Sequence, residues 1–414
     1  MVQSLISILK RSKIYNNALY IVKELVSNGY KSYFVGGSVR DGLLGRNIKE
    51  IDIVTSAKPD DIKRIFKRTI EVGKAFGVII VLCADQKFEV ATFRKDLEYS
   101  DGRRPDKIEF SDEVEDALRR DFTVNGIFFD PINQKLIDYV DGVYDINRKI
   151  IRTIGNPYDR FSEDKLRMLR AVRFSAQLDF CIESETINSI KRMSYQISVV
   201  SRERIRDEFF KILNLDKPIS QYLEVIYDTG MWGVLEIDFD KNNIVFVDKI
   251  RLSPVLDNNE ISILRLTGLI WNHKHLLKSI KESFRLSNEE YTKMLNIIKL
   301  IDIFKDVNKL SLSSIKRVFR MKYIQEALYF LDIWQDFFYP EEKDKKHYLV
   351  NKYYETKDFL YPPVLVSGDD LKKIGLQPGP LFSKILRDIE DMQLEGKIKN
   401  RDDALNYIKG MIGV

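Results

Sequence analysis

The sequence predicts an α+β protein, with a mixed sheet and its helices over roughly the first 140 residues and an elongated all-α remainder. Two observations carry this. Short apolar runs bounded by turn residues cluster before residue 140, whereas from about residue 157 the apolar positions recur at helical spacing. A third bounds the size: 414 residues with 44% hydrophobic and 11% aromatic content are too many for one core and ample for roughly two to four folded domains.

In chain order, "NNALYIVKELVSNG" has helical periodicity and stops at Gly29. "YKSYFVGG" and "IDIVT" are expected strands, and "KPDDIKRIF" a helix opened by its proline. "FGVIIVLC" and "KFEVATF" flank Asp85–Gln86 as a hairpin, and "GIFFD" and "QKLIDYV" are two more strands. Ser162 and Ser201 are candidate N-caps for "SEDKLRMLRAVRFSAQL" and "SRERIRDEFFKIL". Helical periods then follow in "EISILRLTGLIWN", "NEEYTKMLNIIKLIDIF", "SIKRVF" and "IQEALYFLDIWQDFF", and the polar "YPEEKDKKHY" reads as an exposed connection.

Several classes are excluded. No apolar run approaches the roughly 18 residues of a membrane span, and the N-terminal basic residues follow the apolar stretch, the reverse of a secretory signal. Cys83 and Cys181 have no metal spacing and read as small buried hydrophobes, so a reducing cytoplasmic setting is expected. The net charge of +5 is compatible with a polyanionic partner and decides nothing alone.

Chemistry concentrates in a few blocks. In "FVGGSVRDGLLGRNIKEIDIVT", Gly36 and Gly37 stand between a strand and a helix, where amides lacking a Cβ can approach phosphate and Arg40 can add a planar fork. A plain turn is the commoner meaning of Gly-Gly. Glu50 and Asp52, two apart on a strand, would share one face while Ile51 and Ile53 turn to the core. Such a pair is either a solvated edge or a seat for a hard cation, and Glu89 could complete it. Glycines beside paired acids suit a nucleoside triphosphate with Mg²⁺. In "RRDFTVNG", Arg119, Arg120, Asp121 and Asn125 precede or interrupt what otherwise reads as a buried strand, and the bland meaning is a polar strand entrance with Arg119 merely solvated. In "EDKLRMLRAVRF", Asp164 and Arg167 would share a helical face, continued by Arg170 and Arg173; the usual meaning is a surface ion pair contributing about 0.2–0.5 kcal/mol.

Together, "GGSVRDGLLGR…EIDIVTSA", "RRPDKIEF", "RRDFTVNG" and "EDKLRMLRAVRF" resemble, in order, the motifs of class II nucleotidyltransferases, the tRNA CCA-adding enzymes and the related bacterial poly(A) polymerases. The resemblance covers roughly residues 30–215, with an echo over 367–408. It implies a catalytic head at 1–140, a neck at 141–215 with a nucleotide-selecting helix, a body at 216–340 and a tail at 341–414 binding tRNA. It implies that Glu50 and Asp52 hold Mg²⁺. Gly36, Gly37, Arg40, Arg120, Asp121, Asn125, Asp164, Arg167, Arg170 and Arg173 would bind CTP and ATP. Asp164 and Arg167 would act as the template for C and A, and Glu203 and Arg204 would belong to a supporting helix.

Two departures stand out. Glu50 replaces the family's aspartate, leaving open a shifted metal geometry or a dominant Asp52, and Gly126 replaces its alanine. The implied reaction is attack of an RNA 3′-hydroxyl on the α-phosphate of CTP or ATP. A full-length "RKDLEYSDGRRPDKIEF" opposes a CC-only enzyme, and "GKAFGVIIVL" resembles the CCA-type pattern. CCA addition is the first reading, an A-adding enzyme the second and poly(A) synthesis the third. A non-catalytic RNA-binding relative is the rival class, opposed by the intact acids. His273, His275 and His347 lie outside the motifs, and no obligate protein partner is evident.

Overall fold

The structure is a computed structural model describing residues 1–73, 76–97, 107–234, 240–252, 258–341 and 347–412. The chain forms two compact units. The first comprises Met1–Leu215, Ile219–Asp238 and Ser283–Arg285; the second comprises Asp216–Pro218, Phe239–Glu282 and Leu286–Val414.

The first unit opens with helices α1 (Val2–Arg11) and α2 (Tyr15–Ser27), then strand β1 (Ser32–Val35), α3 (Gly37–Leu43), β2 (Asp52–Thr55) and α4 (Pro59–Ile65). Strands β3 (Thr69–Gly73), β4 (Val78–Cys83), β5 (Gln86–Thr92), β6 (Arg94–Leu97) and β7 (Lys107–Phe110) precede α5 (Glu113–Leu118). A 3-10 turn at Thr123–Asn125 leads to β8 (Ile127–Asp130) and β9 (Lys135–Asp138). Then come α6 (Gly142–Arg148), β10 (Ile150–Ile151), α7 (Pro157–Glu163), α8 (Leu166–Leu178), β11 (Cys181–Ile182), α9 (Ser184–Met193) and α10 (Arg202–Leu213).

Seven strands make one mixed sheet in the order β3-β4-β5-β2-β1-β8-β9. β1 runs antiparallel to both β2 and β8, and β2 runs parallel to β5. The period-2 alternation decides the two faces. Phe34, Ile53, Val90 and Phe129 are buried on one face, where Tyr15 of α2 meets Phe34 edge-on. Val35, Val54, Phe93 and Phe128 pack with Ala117 of α5 on the other. This second face carries the chemistry.

Several expectations change. The hairpin turn is Ala84–Asp85, both at positive φ, and Gln86 is already paired with Cys83. Strand β3 and the β6–β7 hairpin carry too few apolar residues to announce themselves. Ser162 lies inside α7, which Asn156 caps by accepting from the Tyr158 N–H at 2.9 Å; Ser201 does sit at the N-cap of α10, with no side-chain capping bond. Cys181 is exposed and Cys83 half-buried, so neither is a core residue. Parts of "GKAFGVIIVL", "RKDLEYSDGRRPDKIEF" and "YPEEKDKKHY" lie outside the described residues.

In the second unit, helices Asn288–Lys305 and Ile324–Phe338 enclose a core centred on the fully buried Trp334 and Phe330. Ser287 and Glu290 form the capping box that starts the first of them. A smaller core at Leu371, Ile385, Ile389 and Ile408 joins the last three helices. Lys316 Nζ donates to the Leu394 carbonyl at 2.6 Å, linking that part to helix Leu312–Val318. Among the described residues, no helix is long and apolar enough to cross a membrane.

Candidate active site

Strand β1 ends at Val35, directly opposite Asp52, the first residue of β2. The chain turns at Gly36, whose φ of 69° favours glycine. A Cβ there would lie 3.6 Å from Arg120 Nη1 and 3.9 Å from Asp52 Oδ2, so the turn, the guanidinium and the carboxylate meet at one point. Glu50 lies just before β2, exposed and outside the strand, while Ile51 and Ile53 are buried as the alternation requires. Ile53 pairs with Val90 in parallel register, which brings Glu89 beside Asp52 on the same face.

Burial first, and then the charges of Glu50 and Glu89, push the Asp52 carboxyl up to about 6, against the opposing pull of Arg120. Asp52 thus feels both neighbouring acids. Among the described residues no three His, Cys, Asp or Glu side chains are placed to form a metal cage. Asp52 with Glu50 is a donor set that suits Mg²⁺, which is commonly held by one or two carboxylates plus phosphates.

The second group is built on α5. Its Asp116 is fully buried and accepts from both Arg119 (2.9 and 2.7 Å) and Arg120 (3.3 and 3.0 Å). Motif reading passed over Asp116, although its spacing of three and four residues before those arginines was the available signal. The 3-10 turn after Asp121 brings Asn125 back, so that Asn125 Nδ2 donates to Asp121 Oδ1 at 3.0 Å. Arg40 lies 4% exposed and donates to Asn125 Oδ1 at 2.6 Å and to Asp41 at 2.9 Å, with Gly37 against its guanidinium. Burial would raise the Asp121 carboxyl, but Arg170 and the Asn125 hydrogen bond outweigh it and hold it well below the usual range. Around Gly126, Val140 and Ile154 fill the space an alanine methyl would take, at 2.7 and 3.1 Å, so the departure from the family alanine is a matter of packing.

The third group surrounds α8. Asp164 is not on the helix with Arg167; it sits extended between α7 and α8 and accepts from the Leu166 N–H at 3.0 Å. Its other oxygen accepts from Arg204 Nη2 at 2.7 Å. Arg167 pairs with Glu163 instead and donates to the Arg160 carbonyl at 3.0 Å. Arg170 Nε donates to Asp121 at 3.0 Å, and Arg173 binds Glu208 of α10. Arg40, Arg170 and Arg173 all lie against the Phe174 ring, at 5.3, 5.3 and 3.7 Å from its centroid. Asp164, Arg167 and Arg173 are each 8% exposed. Glu203 pairs with Arg285 at 3.4 Å, and the three histidines belong to the second unit.

The acids around Asp52, the guanidinium-lined turn at Gly36 and the carboxylate–arginine groups around α8 all belong to the first unit. Residues 32–152 match the family described as "Poly A polymerase head domain", and residues 179–237 match "Probable RNA and SrmB- binding site of polymerase A". The chain is 33% identical to the CCA-adding enzyme of Lactobacillus johnsonii over 404 residues, 95% of this chain and 96% of that one. It is 43% identical to the CCA-adding enzyme of Bacillus subtilis over 259 residues, 62% of this chain and 65% of that one. The crystal structure of the Bacillus stearothermophilus CCA-adding enzyme in complex with CTP superposes with a TM-score of 0.75 at 26% identity, covering 97% of this chain and 99% of that one. On this near full-length relationship, the chain belongs to the CCA-adding tRNA nucleotidyltransferase and poly(A) polymerase family.

Proposed function

We propose that the protein adds cytidylate and adenylate from CTP and ATP to the 3′ end of tRNA in the cytoplasm, building or repairing CCA without a nucleic-acid template. The observation that carries this is the convergence of Asp52, Glu50, Glu89, Gly36 and Arg120 around one end of the interior strands β1 and β2, in a chain whose near full-length relatives are CCA-adding enzymes. The RNA 3′-oxygen bonds to the α-phosphorus, the bond to the β-phosphate's bridging oxygen breaks, pyrophosphate leaves and the hydroxyl proton passes to solvent.

Asp52 and Glu50 would hold Mg²⁺, which makes the hydroxyl easier to deprotonate and stabilises charge on the leaving oxygens. Arg120 and the Gly36 turn orient the triphosphate, and Asp121 with Asn125 meets the ribose. Asp164 accepts the exocyclic amino group of cytosine or adenine, since each carboxylate oxygen has a second lone pair beyond its present bonds. Arg167 donates to acceptors on the same edge. Guanine and uracil present carbonyls there, so the carboxylate opposes them. Helices beyond residue 216 grip tRNA through phosphates.

The deciding experiment offers tRNAs ending before CCA, after C and after CC, each with CTP, ATP or both, and sequences the products. Complete CCA ends on all three are expected. Addition of A alone to the CC-ended tRNA identifies an A-adding enzyme, and long A tails identify a poly(A) polymerase.

A further inference from the structure

Asp116 binds no ligand in the scheme above, yet it is fully enclosed, with 0% exposure. Burial alone would raise its carboxyl, and Arg120 and Arg119 outweigh that and lower it, so it remains a buried anion. A buried ion pair is weak evidence for stability, because apolar replacements often do as well. Its geometry offers a different reason.

An arginine fork has two edges. The Nε and Nη2 edge of Arg120 rests on Asp116 Oδ2, while Nη1, on the other edge, faces the Gly36 turn and Asp52. The Phe128 ring lies against the guanidinium, 5.6 Å from centroid to carbon. The other oxygen, Oδ1, accepts from Arg119 and, at 3.4 Å, from the Arg94 N–H of β6; Arg119 also reaches Asp96 at 3.7 Å, and Asp96 in turn holds Arg94 at 3.1 Å. Oδ1 therefore straps the helix end to the β6–β7 hairpin, and Oδ2 sets the rotation of Arg120 alone.

We infer that Asp116 is a positioning residue that aims the Nη1 edge of Arg120 at the triphosphate. The inference rests on the reading of Arg120 as a nucleotide ligand. Asp116 acts before base selection, so its loss raises KM for CTP and ATP alike and leaves the preference over GTP and UTP intact.

The test is steady-state kinetics with full-length protein on CC-ended and CCA-lacking tRNAs, alongside melting curves. Asp116→Asn, and Asp116→Glu, which keeps the charge the buried arginines require, are each expected to lower kcat/KM for both nucleotides about tenfold or more, since small misplacements of positioning groups are felt strongly. Asp116→Glu serves even if the Asn variant does not accumulate. In an Arg120→Ala background, the Glu substitution is expected to add no further loss, whereas a merely structural role gives additive losses that follow the melting temperature. A folded Asp116→Glu enzyme with wild-type kcat/KM, or additive losses with Arg120→Ala, overturns the inference. An Arg120→Ala enzyme with unchanged kcat/KM overturns the reading of Arg120 and the inference with it.

Discussion

Asp52 and Asp121 are both largely buried aspartates of the same unit, and their surroundings drive them in opposite directions. Burial, and then the charges of Glu50 and Glu89, oppose ionisation of Asp52 and push its carboxyl up to about 6. Asp121 stands against Arg170 and the Asn125 amide, so its charge is favoured and its carboxyl falls. One environment leaves negative charge opposed by its neighbours. The other neutralises it and thereby fixes the arginine helix relative to the turn. Burial enters both sites with the same sign; the neighbours decide the outcome.

The largest test of this contrast removes Asp52. Asp52→Ala should lower incorporation from labelled CTP and ATP by at least about a thousandfold while tRNA binding persists, and undiminished incorporation would reject the acid-cluster assignment. Next in size is specificity. Asp164→Ala should erode discrimination against GTP and UTP by about ten- to a hundredfold, as expected for an unmatched donor–acceptor edge; preserved discrimination in single-turnover incorporation would exclude the template role.

The stability arms should move oppositely. A carboxyl raised in the folded state binds protons that the unfolded chain has already released between pH about 4 and 6, so stability falls as pH climbs through that window. Asp52→Asn should therefore stabilise the metal-free protein by about 2 kcal/mol at pH 7.5, and not at pH 4, in denaturant titrations. For Asp121, lowered in the folded state, the contribution is present above the unfolded carboxylate pKa of about 4 and is lost as pH falls below it. Asp121→Asn should destabilise at pH 7.5 by about 3 kcal/mol, by leaving Arg170 facing a neutral amide. The smallest effect is ionic: tRNA affinity should decline steadily with added salt, and a flat response in filter binding would contradict phosphate-based grip.

Much of this was legible in the residues themselves. Local rules suffice for the β2 alternation at Ile51 and Ile53, for the helix opened by Pro59 and for the capped Asn288–Lys305 helix, because side-chain period and caps act over a few positions. The β6–β7 hairpin was not legible, since its "RKDL" strand is charged and its pairing includes Glu115 and Arg119, far along the chain. The continuity of "SEDKLRMLRAVRF" as one helix was an error of the same kind. Asp164 breaks it by holding an extended backbone, and Arg204, forty residues on, completes its bonding.

The order and chemistry of the motifs, and the family they mark, were determined by the sequence alone, because residue types and spacing survive without coordinates. Which acid is proton-hungry, that Arg170 binds Asp121, and that Arg120 faces Asp52 were decided by tertiary structure. Those properties depend on distance and solvent exclusion between segments that only folding brings together.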